Sequence, residues 1–145
     1  MGATASAIDS SPPTTIVTLP DIPVMYVTGD KEQPIAQQAP AAFRTLEAKL
    51  PSLNRRKFYG VNLGGEYRAC VSIEGTDDLN ALPHAQWTIP GGRYARRRIP
   101  NWGANIRLIG PSFEELRTRP DSDPTRPSIE YYRSQRELLV MVPVR

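Results

Sequence analysis

The last twenty residues, RPSIEYYRSQRELLVMVPVR (residues 126–145), contain two apolar runs joined by a polar link. This pattern is typical of a β-hairpin that closes a sheet. The first run carries a carboxylate, Glu130, between Ile129 and Tyr131. Because side chains alternate along a strand, Glu130 and Tyr132 are predicted to share one face, while Ile129 and Tyr131 share the other. The hairpin therefore presents an acid among aromatic and apolar neighbours.

Residues 14–28, TTIVTLPDIPVMYVT, are rich in β-branched residues and contain two prolines, which predicts an edge strand or a broken strand. Apolar residues at helical spacing predict a helix over residues 35–50, with its regular part beginning near Pro40. Two strand-like runs follow, KFYGVN and YRACVSIEG, and the glycines between them predict a tight hairpin.

The second half of the chain follows the same order. Residues 86–99 are strand-like on both sides of a Pro-Gly-Gly break, and residues 101–119 have apolar positions at helical intervals. The pair Gly110-Pro111 is expected to kink or split that second helix. The closing hairpin then completes the order strand, helix, strand, strand for the second time.

This repeated order predicts an α+β fold of duplicated βαββ units, with two antiparallel sheets, a helix on each, and a central ligand cleft. The first unit is expected at about residues 14–75 and the second at about residues 85–145. Residues 1–13 are small and polar and are interpreted as a flexible tail. The remaining residues, 14–145, are predicted to form one ligand-binding domain.

Composition excludes several classes of function. The chain has 145 residues, a formal charge of +3, one cysteine (Cys70) and one histidine (His84). These counts predict a cytoplasmic protein with no metal site and no cofactor, in which Cys70 is a core residue. No apolar run is long enough to span a membrane. The basic run at residues 93–98 is interpreted as a solvated strand edge, and nucleic-acid binding is not expected.

Glu130 is the residue on which the functional interpretation depends. If it faces a cleft, its carboxylate could hold a cationic ligand, together with aromatic faces. It could also act as a general base on a bound electrophile. The alternative is a solvent-facing carboxylate paired with one of the arginines.

The aromatic residues supply the rest of the predicted site. Tyrosine and tryptophan suit a cleft because the ring packs while the polar group can still be hydrogen-bonded. The expected ligand-binding set is Tyr26, Tyr59, Trp87, Tyr94, Trp102, Glu130 and Tyr132. Each aromatic residue taken alone is equally compatible with ordinary packing, so the prediction concerns the group.

The chain resembles the gyrase-inhibitor-like (GyrI-like) small-molecule-binding domains, which also serve as effector-binding domains of multidrug-responsive regulators. The resemblance extends over residues 16–145 and rests on segments in a fixed order. These segments are IPVMYVTGD (22–30), FYGVN (58–62), YRACVSI (67–73), WTIPGGRYARRRI (87–99), SIEYY (128–132) and LLVMVPVR (138–145).

The resemblance implies a duplicated βαββ fold, similar to that of SOUL proteins, in which the glutamate of the penultimate strand lies in a central cleft. Glu130 is the matching position, so it is expected to face a hydrophobic ligand of the kind this family binds, often aromatic or cationic. Some family members are hydrolases that open cyclopropane rings, which would make Glu130 a general base. A third hypothesis is inhibition of a gyrase or other topoisomerase, by a monomer or a homodimer.

Overall fold

The computed structural model describes residues 13–145, apart from the side chains of residues 35 and 36. The predicted tail, residues 1–13, therefore lies outside the described residues except for Pro13. Within the described part the chain forms eight strands and two α-helices. Their bounds are β1 Thr14–Leu19, β2 Ile22–Thr28, α1 Ile35–Ala48, β3 Phe58–Leu63, β4 Glu66–Ser72, β5 Ala85–Ile89, β6 Gly92–Pro100, α2 Ile109–Arg117, β7 Ser128–Ser134 and β8 Glu137–Pro143.

All eight strands belong to one antiparallel sheet with the order β1-β6-β8-β7-β3-β4-β2-β5. The α+β class is confirmed, but the prediction of two separate sheets is wrong. The reason is that β3 pairs directly with β7, placing Gly60 opposite Glu130. A continuous hydrogen-bonded ladder therefore runs through the middle of the molecule, where a seam between two sheets was expected.

The sheet is strongly curved, and its connections require this. Only Pro20 and Asp21 separate β1 from β2, which occupy the first and seventh positions of the sheet. Three residue steps span at most about 11 Å, whereas a flat sheet would hold these strands roughly 29 Å apart. The link from β5 to β6, through Pro90 and Gly91, joins the eighth and second positions in the same way. We call the face toward which the sheet curves the concave face.

The two short links touch each other where the ends of the sheet meet. The backbone N–H of Gly91 donates a hydrogen bond to Asp21 Oδ1 at 2.7 Å. A Cβ at Gly91 would lie 2.5–2.7 Å from backbone atoms of residues 19–21, so only glycine allows this approach. The contact closes the concave face along one side.

Both helices pack on the other side of the sheet, which we call the helix face. Leu46 of α1 and Leu116 of α2 are 0% and 1% exposed, and each anchors its helix on the strands beneath. The concave face has its own core, which includes Val61, Ile129 and Met141. Buried side chains on both faces explain why the central strands are apolar in most positions.

The helix boundaries differ from those expected at two prolines. Helix α1 begins at Ile35, so Pro40 lies inside it and does not mark its start. Pro34 has that role, because its carbonyl accepts hydrogen bonds from Gln37 and Gln38 at 2.8 and 3.1 Å. Two 3-10 turns, Trp102–Ala104 and Ile106–Leu108, precede α2, whose first turn contains the Gly110-Pro111 pair expected to split the second helix.

The basic run of β6 is not an edge, because β6 lies between β1 and β8. Arg97 is 9% exposed, and its guanidinium donates to Glu115 Oε2 at 3.1 Å and to Thr14 Oγ1 at 3.0 Å. The interpretation of this run as a strand edge is therefore wrong, although Arg93 and Arg98 are exposed to solvent. Arg97 instead ties the edge strand β1 and helix α2 to the sheet.

Candidate functional site

Glu130 lies on the helix face and is held by two tyrosines, Tyr67 of β4 and Tyr132 of β7. Their hydroxyls both donate to Glu130 Oε1, at 3.1 Å from Tyr67 and 2.9 Å from Tyr132. We call these three residues the Glu130 cluster. Strand alternation places Glu130 and Tyr132 on the same face of β7. Strand β3 lies between β7 and β4, and the Tyr67 side chain of β4 reaches over β3 to Glu130.

Gly60 of β3 makes room for the cluster. It lies opposite Glu130 on one side and Ala69 on the other. A Cβ at Gly60 would collide with the Tyr67 hydroxyl and with Glu130 Oε1. The missing side chain thus allows the carboxylate and the hydroxyl to meet above the strand.

The Glu130 cluster is electrostatically unusual for its surroundings. Burial raises the pKa of Glu130, while hydrogen bonds from Tyr132 and Tyr67 act in the opposite direction. Burial, followed by the nearby Glu130 charge, also raises the pKa of both tyrosines, so their hydroxyls remain donors. Within the described residues no lysine or arginine forms an ion pair with Glu130.

An open cavity of about 590 Å³ lies beside the cluster, between α1 and the segment that leads to α2. We call it the helix-face cavity. Its aromatic wall consists of Phe43, Phe58, Trp102 and Tyr132. Tyr132 packs edge-on against both Phe43 and Trp102, with ring centroids 5.4 and 5.2 Å apart. Tyr132 thus separates the Glu130 carboxylate, which is not part of the wall, from the cavity.

Three charged side chains lie at the mouth of this cavity, and two of them form ion pairs. Arg56 is held by Asp77 in a bidentate ion pair at 2.8 and 2.9 Å, and Arg133 pairs with Glu137 at 3.3 Å. Glu47 of α1 has no ion pair to any described residue. The carboxylate that is left at the mouth therefore favours positive ligands.

The sheet divides the predicted site residues between its two faces. Trp102, Glu130 and Tyr132 come together on the helix face. The other four belong to the core of the concave face or pack against it: Tyr26, Tyr59, Trp87 and Tyr94. The structure therefore does not bring the seven residues into one site, and ligand binding by the second group stays a prediction.

Three of the four concave-face residues, Tyr26, Trp87 and Tyr94, have well-defined partners of their own. The Arg68 guanidinium lies over the rings of Tyr26 and Trp87, 4.3 and 4.7 Å from their centroids. Tyr94 is fully buried and its hydroxyl donates to the carbonyl of Pro90 at 2.6 Å. These contacts hold β5 and the β5–β6 link in place.

Sequence reasoning missed Tyr67, Phe43 and Phe58, which complete the site. Tyr67 alternates with Ala69 and Val71, a pattern that indicates a shared face but not which strand lies opposite. Phe43 occupies the apolar side of α1, and its ring lies 6.4 Å from that of Tyr67. Only the β3–β7 pairing shows that these residues and Glu130 are neighbours.

Two negative findings concern the described residues only. No helix among them has the length and apolar character that crossing a bilayer requires. No group of three or more histidine, cysteine, aspartate or glutamate side chains in the described part is arranged to hold a metal ion.

Comparison with known proteins finds similar folds but no similar sequences. No protein-family model matches the chain, and no curated protein matches it in sequence. An integron cassette protein from the mobile metagenome of Vibrio cholerae has a similar structure, with a TM-score of 0.67 and 15% identity. The match covers 91% of this chain and 95% of the cassette protein.

Two other solved structures are similar over most of their length. SAV2435, solved with tetraphenylphosphonium bound, has a TM-score of 0.59 and 13% identity, covering 92% of this chain and 94% of its own. A hydrolase from Listeria innocua has a TM-score of 0.51 and 9% identity, covering 97% of each chain. At these identities the similarity shows a shared fold.

Proposed function

We propose that the protein binds a hydrophobic cationic small molecule in the helix-face cavity, with the Glu130 carboxylate as its charge partner. The observation that carries this proposal is a partly buried carboxylate that no described cation balances. Burying an unpaired charge is costly, and a bound cation removes that cost. Both tyrosine hydroxyls bond Oε1, so Oε2 is the oxygen that would face the ligand.

The walls of the cavity support a ligand that is aromatic or otherwise apolar. Phe43, Phe58 and Trp102 offer ring faces that attract cations as well as apolar groups. A volume of about 590 Å³ is within the usual range for small-molecule sites. Tyr132 has to turn aside for a ligand to reach Glu130, which exchanges its contacts with Phe43 and Trp102 for contacts with the ligand.

The fold supports the same proposal by analogy. SAV2435 binds tetraphenylphosphonium, which is a hydrophobic cation. The strand order is consistent with a duplicated unit, since β2-α1-β3-β4 and β6-α2-β7-β8 contribute the strand triplets β3-β4-β2 and β7-β8-β6. We infer a GyrI-like domain of two such units, as the motifs around Glu130 imply.

The test uses two ligands of the same shape and opposite charge, tetraphenylphosphonium and tetraphenylborate. Calorimetric titration should show that the phosphonium binds the native protein more tightly than the borate. Glu130→Gln keeps the shape of the side chain and removes its charge, so it should weaken phosphonium binding about tenfold or more. The same change should leave borate binding unchanged or strengthen it.

Glu32→Gln is the matched control, because Glu32 is exposed and its removal changes the net charge by the same amount. It should alter phosphonium binding less than twofold. Equal affinities of the native protein and Glu130→Gln for the phosphonium would contradict the proposed role of Glu130. Failure of both ligands to bind would contradict the proposed cavity.

A second candidate is an enzyme of the same fold, a hydrolase or cyclase acting on a reactive cyclopropane-containing molecule. The raised pKa of Glu130 favours it, since a general acid or base works best when its pKa is close to the working pH. Under this hypothesis Glu130→Gln abolishes product formation while neutral ligands still bind. Inhibition of a topoisomerase, the cytoplasmic location and the monomeric or dimeric state stay predictions.

A further inference from the structure

A second open cavity, of about 550 Å³, lies on the concave face at the ends of β3 and β7. We call it the concave-face cavity. Tyr59 and Tyr131 are stacked in it, with ring centroids 4.9 Å apart and planes 22° apart. Leu139 and Met141, 5% and 2% exposed, form its apolar floor. A flat aromatic ring can pack on the Tyr131 side of this pair.

The tyrosine hydroxyls add hydrogen-bond donors to this apolar surface. Burial, followed by the proximity of Tyr131, raises the pKa of Tyr59 to about 12. The Tyr59 hydroxyl therefore stays protonated and can donate. Neither tyrosine hydroxyl bonds another described residue, so both can serve an acceptor that enters the cavity.

Basic side chains surround the opening. Lys57 lies two residues before Tyr59, and Arg133 lies two residues after Tyr131. Both line the cavity, and so does Arg96 of β6. Arg133 shares the carboxylate of Glu137 with another arginine, Arg98. Lys57 and Arg96 form no ion pair with any described residue.

Two carboxylates also line this cavity, Asp21 and Glu74, and each accepts a hydrogen bond from a neutral donor. Asp21 Oδ1 accepts a hydrogen bond from the Gly91 N–H at 2.7 Å, at the contact between the two short links. Glu74 Oε2 accepts from the Ser72 hydroxyl at 2.6 Å. A neutral donor leaves the carboxylate charge in place, so two negative charges stand against the three positive charges of the lining, and the net charge of the lining is positive.

We propose that the concave-face cavity is a second ligand site, which binds a planar aromatic anion such as an aromatic carboxylate. The ring packs against Tyr131 and the apolar floor, and the carboxylate lies near Lys57 and Arg96. This site is independent of the proposed function on the helix face, since Glu130 and Tyr131 are adjacent in β7 but point to opposite faces. The two sites can therefore be altered separately.

The test is a titration with 2-naphthoate, followed by NMR chemical-shift mapping, on the native protein and on Lys57→Gln/Arg96→Gln, since Lys57 and Arg96 line the concave-face cavity and not the helix-face cavity. Removing two partly screened charges should weaken naphthoate binding roughly threefold to tenfold. The charge-matched control is Arg44→Gln/Arg136→Gln, which changes two exposed arginines that form no ion pair with a described residue. The affinity of this control variant for 2-naphthoate should stay within twofold of that of the native protein.

Three further arms locate the site and its charge preference. Tyr131→Leu, checked for native circular dichroism, should weaken naphthoate binding, and Glu130→Gln should not. Raising the salt concentration from about 20 mM to about 500 mM should also weaken it. The neutral probe 2-naphthylmethanol should bind more weakly than naphthoate.

The proposal is overturned if naphthoate does not bind, or if the lysine–arginine double variant binds it as tightly as the native protein. It is also overturned if 2-naphthylmethylammonium binds better than naphthoate, because Asp21 and Glu74 would then be the recognition groups. Chemical-shift changes confined to the helix face would equally exclude it. None of these results depends on whether tetraphenylphosphonium binds near Glu130.

Discussion

The two faces of the central sheet are built from alternate residues of the same strands, yet they differ in chemical character. In β7, Ile129 packs in the apolar core of the concave face, whereas Glu130 lies in a hydrogen-bonded cluster on the helix face. Among the described residues, Glu47 at the helix-face cavity has no ion pair, and at the concave-face cavity the side chains without one are Lys57, Arg96, Asp21 and Glu74.

This difference shows how one strand can serve two environments. Strand alternation alone sends neighbouring residues to opposite faces. What each residue meets there depends on the partner strand and on what covers the face: two helices on one side, and the curved ends of the sheet on the other. Three changes, from the largest expected effect to the smallest, test this comparison.

Ile129→Ala should have the largest effect, because it leaves a cavity in the closed core of the concave face. Ile129 is fully buried, so the free energy of unfolding should fall by about 2–5 kcal/mol. Urea denaturation measures it, with Ile129→Val as the graded control at about 0.5–1.5 kcal/mol. A loss below about 1 kcal/mol for the alanine variant would mean that this face is not a packed core.

Gly60→Ala should have an intermediate effect that is specific to the helix face. The added methyl group collides with the Tyr67 hydroxyl and with Glu130, and such overpacking costs about 1–3 kcal/mol. Tyr67→Phe removes that hydroxyl. Adding Gly60→Ala to the Tyr67→Phe variant should therefore lower the free energy of unfolding by less than Gly60→Ala does in the native protein. Strictly additive losses, measured in the same urea assay, would show that the cluster is not packed against Gly60.

The smallest effect is a pH dependence that belongs to Glu130. Burial is the main cause of its raised pKa, so the native state keeps this proton to a higher pH than the unfolded state does. The contribution of Glu130 to the free energy of unfolding is therefore largest below the ordinary pKa near 4.5, and it falls as the pH rises through the native pKa.

Glu130→Gln lacks this titration. Its stability relative to the native protein should therefore improve as the pH is raised from about 4 to about 7. Thermal unfolding at several pH values measures the difference, and Glu32→Gln controls for net charge. A difference that is constant, or that moves in the other direction, would mean that the carboxyl group is not desolvated in the native state.

Local patterns in the sequence predicted local structure well. The alternation in SIEYY placed Glu130 and Tyr132 on one face, and the glycine pair at residues 64–65 indicated the β3–β4 hairpin, where both glycines have positive φ angles of 55° and 97°. These features depend on neighbouring residues only, so they can be read from a short window of sequence.

The features that were missed depend on contacts between distant parts of the chain. The β3–β7 pairing decides both that there is one sheet and that Tyr67 meets Glu130, and no short-range pattern encodes it. The aromatic residues were grouped by type, so Tyr59 and Trp87 were assigned to the same site as Trp102 although they lie on the other face. Pro40 was misinterpreted because Pro34 had already provided the start of the helix.

The short links that meet at Gly91 also affect how the chain folds during its synthesis. Strand β1 pairs with β6, with Thr14 opposite Arg97, so the first strand leaves the ribosome long before its partner exists. Closure of the sheet depends on the most distant pairings in the sequence, which slows folding compared with a protein of local hairpins. Until β6 is synthesised, the apolar residues of β1 remain available to chaperones and to other nascent chains.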